Sequence, residues 1–318
     1  FPKKKKMKLV VKSKFDPLTC ATIVKIQPNC IIRNQLPLDL YIRSDEKDEI
    51  LHIKPGEDVK TTIIDTSGLE FNAYFATSSF GENADDLNVT VDDLKHKVNV
   101  KTSDGFISSV PLNSISSSKN EKQSKICFAI EAKKYADKPQ YDLVCFAPSI
   151  IFNRSGIELK CYYRINNKKV ITETFSPREK GSDPNQDGCL IWSCEEYFKR
   201  KDTSRKLSLQ ISTTAESERK YCYKNVEQSK DSQKEDPETD YMCEDVIECL
   251  ATHINGPLMI PTENKDIFVP LHYTVTSAQP YAISTIVTIA SQFVICNYTN
   301  IPFYIQPVII PKVAPEKS

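Results

Sequence analysis

One short frame occurs three times in this chain, and it constrains the fold more than any other feature. The copies are "NCIIRNQLPLDLYIR" from Asn29, "SIIFNRSGIELKCYY" from Ser149 and "QFVICNYTNIPFYIQ" from Gln292. They align without a gap on Asn34, Asn153 and Asn297. Four residues after each Asn stand Leu38, Ile157 and Ile301; six after stand Leu40, Leu159 and Phe303; eight after stand Ile42, Cys161 and Ile305. That period of two places one face of a strand against a core. Three residues after the Asn stand the turn formers Pro37, Gly156 and Asn300. Two before it stand Ile32, Ile151 and Ile295, and ten before it Val24, Leu143 and Val287.

The anchors are separated by 153 − 34 = 119 and 297 − 153 = 144 residues. Each interval is close to the roughly 100 residues of an immunoglobulin-like sandwich, so the repeat is read as one sandwich-sized module. The expected fold class is all-β: tandem β-sandwich-like modules with little helix. The frame divides the chain into 1–18, the tail of a preceding module or an excision end; 19–140, a first β repeat; 141–284, a second with a charged insertion near 214–240; and 285–318, the start of a third. Ser-, Asn- and Lys-rich residues from Asn113 to Lys125 mark a second linker.

Short runs rich in β-branched and aromatic residues, bounded by turn formers, predict strands. They are Thr22–Ile26, Cys30–Ile32, Leu38–Ile42, Leu51–Ile53, Thr61–Ile64, Phe71–Phe75, Val98–Val100, Ile126–Ile130, Tyr141–Phe146, Ile150–Phe152, Leu207–Ile211 and Tyr273–Thr276. Two helices are predicted, a turn or two over Glu195–Lys201 and an amphipathic stretch over Met242–His253.

Asn is depleted in strands and favoured where the chain leaves one, because its amide bonds nearby backbone. The recurrent Asn is therefore read first as the lock of a strand exit, a surface position at which a ligand can also approach. Asn88, Asn153 and Asn297 head Asn-X-Ser/Thr sequons. Asn34, followed by Gln35 and Leu36, fills the same frame without one, so Ser155 and Thr299 are read as incidental. Eleven Cys residues in no dense pattern favour a reducing compartment.

No catalytic constellation emerges. With eight Gly there is neither a phosphate loop nor a Gly-X-Ser-X-Gly elbow. His52, His96, His253 and His272 are isolated. Cys243, Cys249 and His253 share a helical face loosely but lack the two close ligand pairs of a structural zinc site, so neither metal nor cofactor is expected. Lys plus Arg and Asp plus Glu both number 42, which gives no nucleic-acid signature. The basic run Pro2–Lys8 is read as a solvated end, Trp192 as core, and Pro302, Pro307, Pro311 and Pro315 as marks of an edge or exit strand.

Written as apolar strand, Asn, turn and alternating strand, with the strand-Pro-Gly stretch "LHIKPGEDV" from Leu51 to Val59 following the first copy, the frame resembles the adaptor-binding repeats of the vacuolar protein sorting-associated protein 13 family. The second copy's counterpart, "ETFSPREKGS", lacks the Pro-Gly pair. The resemblance implies part of a six-repeat, non-enzymatic region of a bridge-like lipid-transfer protein. Such a region binds Pro-X-Pro peptides of organelle adaptor proteins, with Asn34, Asn153 and Asn297 holding repeat geometry and supporting docking. It further implies a cytoplasmic protein, peripheral at organelle membranes and membrane contact sites through its adaptors, whose lipid is handled by other parts. The rival readings are a structural β-module spacer with no short-peptide ligand, a secreted adhesion-type array and an unrecognised hydrolase.

Overall fold

The computed structural model describes residues 9–45, 48–64, 70–78, 89–95, 97–102, 106–112, 114–115, 126–134, 140–165, 168–175, 189–199, 207–213, 243, 246–261, 268–277 and 283–293. Outside these lie Pro2–Lys8, Asn88, His96, the insertion near 214–240, Asn297 with the rest of the third copy, and the late prolines. Only Ser114 and Ile115 of the Ser-rich linker are described.

The chain is all-β. It opens with an antiparallel hairpin, β1 (Leu9–Asp16) and β2 (Ala21–Pro28). Ten strands follow: β3 (Cys30–Gln35), β4 (Leu40–Ser44), β5 (Ile50–Ile53), β6 (Asp58–Thr61), β7 (Glu70–Ser78), β8 (Lys97–Lys101), β9 (Ile107–Pro111), β10 (Ser114–Ile115), β11 (Cys127–Lys134) and β12 (Tyr141–Phe146). They form two sheets, one ordered β6-β3-β12-β11-β9 and the other β10-β7-β4-β5 with β8 beside β7. Alternate residues of each sheet point inward, Cys30 and Ile32 from one meeting Leu40, Ile42 and Phe75 from the other in one apolar cluster. Phe75 and Phe128 touch edge to face across the layers, with centroids 6.2 Å apart.

The second module repeats this plan with β13 (Ser149–Arg154), β14 (Leu159–Ile165), β15 (Lys168–Phe175), β16 (Cys189–Trp192), β17 (Ser208–Thr213), β18 (Ile247–Glu248), β19 (Ile254–Pro261), β20 (Phe268–Ser277) and β21 (Thr285–Ser291). Its sheets are ordered β16-β13-β21-β20-β19 and β15-β14-β17-β18. The first matches β6-β3-β12-β11-β9 strand for strand, and the second matches β5-β4-β7-β8. The buried Trp192 ties the two layers together, its indole N–H donating to Ser208 O at 3.1 Å.

The hydrogen bonding draws the units differently from the expected 19–140 and 141–284. The last strand of each module returns to pair parallel with its first: β12 with β3, Tyr141 opposite Cys30, and β21 with β13, Thr285 opposite Ser149. The closing link recurs as well, Tyr141 N donating to Asn29 O at 2.9 Å and Thr285 N to Pro148 O at 3.1 Å. Tyr141–Phe146 therefore completes the first module and Thr285–Ser291 the second, while Ala21–Pro28 belongs to the hairpin that precedes them. Within the expected 1–18 tail, Leu9–Asp16 is one strand of that hairpin.

Two further expectations change. Residues 246–253 are strand β18 and a turn rather than a helix, because the backbone N–H groups of Cys243 and Cys249 donate to Ile211 O and Leu207 O, at 2.8 Å each, along one edge of β17. Strand pairing with β17 outcompetes the weak helical period. The strand expected over Thr61–Ile64 lies earlier, at Asp58–Thr61, because Gly56 turns the chain at φ +76° and starts the pairing of β6 with β3 sooner. The short helix α1 (Glu195–Lys199) falls inside its expected span.

Helix α1 belongs to the second module but packs on the first. Phe198 covers a small cluster of Ala129, Val144 and Phe146 on the outer face of β11 and β12. Beside it, Ile126 bridges Cys194, Cys127 N donates to Ser193 O at 3.3 Å, and the Ser193 hydroxyl donates to Cys127 O. Truncating Phe198 to Ala removes half-buried aromatic area from this seam, an expected loss of about 1–2 kcal/mol. A calorimetric trace that separates into two transitions would report the uncoupled modules; an unchanged trace would show that Phe198 does not join them.

Candidate functional site: the Asn-locked strand exits

Asn34 is the penultimate residue of β3 and its side chain is fully buried. Its Nδ2 donates to Leu38 O at 2.8 Å and to Ile53 O at 2.9 Å, and its Oδ1 accepts from Leu36 N at 3.0 Å. Its backbone is tied too, Asn34 N donating to Glu57 O at 3.0 Å and Gly56 N to Asn34 O at 2.8 Å. One residue thus holds three segments: the exit turn before β4, the end of β5 and the Pro-Gly turn before β6. Both amide hydrogens and one lone pair are spent on backbone.

Asn153 sits at the matching place in β13, equally buried. Its Nδ2 donates to Ile157 O at 2.8 Å, and its Oδ1 accepts from Ser155 N at 3.1 Å and from the Ser155 hydroxyl at 2.6 Å. Gly156 supplies the left-handed turn residue at φ +80°. Ser291, at the end of β21, donates its hydroxyl to Ser155 O at 2.7 Å and so ties the module's last strand to the exit of its first. Ser155 is consequently a working part of the turn and not incidental. Its signal was legible: a Ser two residues after an Asn is a standard partner in side-chain-closed turns. A glycan on Asn153 is incompatible with this buried amide.

The side chains of Asn34 and Asn153 face inward, so a ligand at these exits would meet the loops they shape. In the first module Gln35, Pro37 and Asp39 are partly exposed; in the second Arg154 and Gly156 are exposed and Glu158 partly so. The loops differ in charge accordingly. The outer sheet face beside them differs as well. Arg33 on β3 reaches the buried Asp142 carboxylate at 3.1 and 3.2 Å and also bonds Asp58, whereas the matching positions of the second module are Phe152, Ile286 and Cys189. Where one copy holds an ion cluster, the other places apolar residues.

Among the described residues no three His, Cys, Asp or Glu side chains are grouped to hold a metal ion. Cys249 is buried, while His253 lies exposed in a turn at φ +63°. His52 bonds Asp39 through Nε2 at 2.7 Å and stacks on Tyr41 with centroids 4.7 Å apart. Eight of the nine free cysteines among the described residues are buried. Burial, first, and the neighbouring Cys145 and Asp142 push the Cys30 thiol well up, and burial alone pushes Cys145 up to about 12. Burial with the adjacent Glu173 raises Cys161, and burial with Cys161 raises Cys249. Such thiols stay protonated and unreactive at neutral pH.

Comparison with protein-family models and with curated proteins finds no match for this chain. No helix among the described residues is long and apolar enough to cross a membrane.

Proposed function

We propose that this chain is a non-enzymatic protein-interaction array within a lipid-transfer protein, and that its Asn-shaped loops receive extended Pro-X-Pro peptides of organelle adaptors. The observation that carries this reading is the recurrence of one buried Asn lock at the same strand exit of two modules. Each lock fixes a surface loop beside a sheet, and the loops differ in charge. A rigid loop next to a sheet suits a Pro-bearing strand, whose rings lose little entropy on docking. On this reading the protein is cytoplasmic and reaches organelle membranes and contact sites through its adaptors, while lipid is carried elsewhere in the same protein.

A structural spacer is the second reading, and the complete internal use of the Asn34 amide favours it. Fluorescence anisotropy with labelled Pro-X-Pro and shuffled peptides separates the two. Saturable binding of the first alone, weakened at least tenfold by charge reversal at Asp39 or Arg154 in a folded chain, supports the array. No binding by a well-folded chain supports the spacer.

A further inference from the structure

Hairpin β1–β2 leaves an apolar face uncovered. Antiparallel partners share a face, so Leu9 with Pro28, Val11 with Ile26 and Ser13 with Val24 stand on one side, and Lys12 with Lys25 and Lys14 with Ile23 on the other. On the first side Leu9, Val11, Val24 and Ile26 are 44%, 62%, 55% and 64% exposed. Displaced by the repeat interval, these positions fall on Phe128, Ile130, Leu143 and Cys145 of β11 and β12, none more than 2% exposed. In the second module the matching residues of β21, Val287 and Ile289, are fully buried. Four core positions of the repeat are thus in water here.

The free edge carries the same message. In both complete modules the last strand takes the first as a parallel neighbour. Among the described residues β2 pairs with β1 alone. Tyr141 N faces the first strand, donating to Asn29 O; by strand alternation the matching N–H groups of Thr22, Val24 and Ile26 face the open edge.

We infer that β1–β2 is a docking surface for the opening half of another β-module of this type, whose Asn-terminated apolar strand adds parallel to β2 while its second sheet covers Leu9, Val11, Val24 and Ile26. The partner strand has the pattern of Cys30–Asn34 and Ser149–Asn153, with inward apolar residues every second position and Asn at the exit. The inference is independent of any peptide ligand.

The probe is a copy of residues 29–64 joined ahead of the full chain through a flexible Gly-Ser linker of about 20 residues, which spans roughly 25 Å. Hydrogen exchange at Thr22, Val24 and Ile26 is expected to slow at least tenfold relative to the unextended chain. The gain should vanish when Ile26→Lys is introduced on the solvent-facing hairpin, a change that leaves both complete modules folded by circular dichroism. Unchanged exchange in the extended chain overturns the inference. So does concentration-dependent self-association of the unextended chain that Ile26→Lys abolishes, which assigns the face to a second copy. Ile26-dependent binding to anionic phosphatidylserine vesicles also overturns it, assigning the face to a bilayer.

Discussion

Raising the pH from 8 to 10 under reducing conditions is expected to unfold this protein, with a loss of about 1.4 kcal/mol per pH unit for each thiol that ionises only in the unfolded chain. Cys30, Cys145, Cys161 and Cys249 lie in the two cores, and their thiols are held well above the usual value, Cys145 at about 12. An unfolded thiol ionises near pH 8.5. The folded state binds these protons more tightly, so its advantage is complete below that pH and declines as pH climbs toward the folded values. With two such thiols in each module, each module loses about 3 kcal/mol per pH unit once the unfolded thiols are ionised, a large share of a typical domain's stability. Chemical denaturation at pH 7.5, 9 and 10 with a phosphine reductant measures this. Replacing Cys145 and Cys161 by Val should halve the slope, and a slope that the replacement leaves unaltered would show that the buried thiols do not govern it.

Asn34→Ala is expected to destabilise the first module by about 2–4 kcal/mol. The substitution strands Leu38 O, Ile53 O and Leu36 N in a site without solvent access, and each buried group left unpaired costs about 1–3 kcal/mol before relaxation. Asn153→Ala should cost less, because the Ser155 hydroxyl lies within 3.2 Å of Ile157 O and accepts from Ile157 N at 3.3 Å, which keeps part of the turn closed. The double change Asn153→Ala with Ser155→Ala should remove that reserve. Asn34→Asp keeps the acceptor for Leu36 N but turns a carboxylate toward two carbonyls, so it should be worse than Ala at pH 7 and recover as the carboxyl is protonated. Urea midpoints for the four variants rank these effects. Equal losses at Asn34 and Asn153 would deny Ser155 its share.

Both results bear on the proposed adaptor array. A variant that loses peptide binding through Asn34 does so by loosening the loop from Gln35 to Asp39, since the amide itself is enclosed. Binding has therefore to be compared at temperatures where each variant is folded.

What the sequence alone determined is the class of structure and the place of its locks. Alternation of apolar residues at Leu38, Leu40 and Ile42, and at Ile157, Leu159 and Cys161, is a local signal because side chains of a strand alternate by geometry. The Asn exits are equally local: the partners of Asn34 at Leu36 and Leu38, and of Asn153 at Ser155 and Ile157, lie within four residues. Only the tertiary structure decided where a module begins and ends. That boundary rests on the parallel pairing of β3 with β12 and of β13 with β21, across more than a hundred residues of intervening chain, and parallel partners leave no hairpin turn to mark them. Pairing with β17 likewise turned residues 246–253 from a helical period into strand β18 and a turn. The tertiary structure also joined Leu9–Asp16, from the expected tail, and Ala21–Pro28, from the expected first repeat, in one hairpin whose apolar residues stay exposed, because burial depends on which sheet lies opposite.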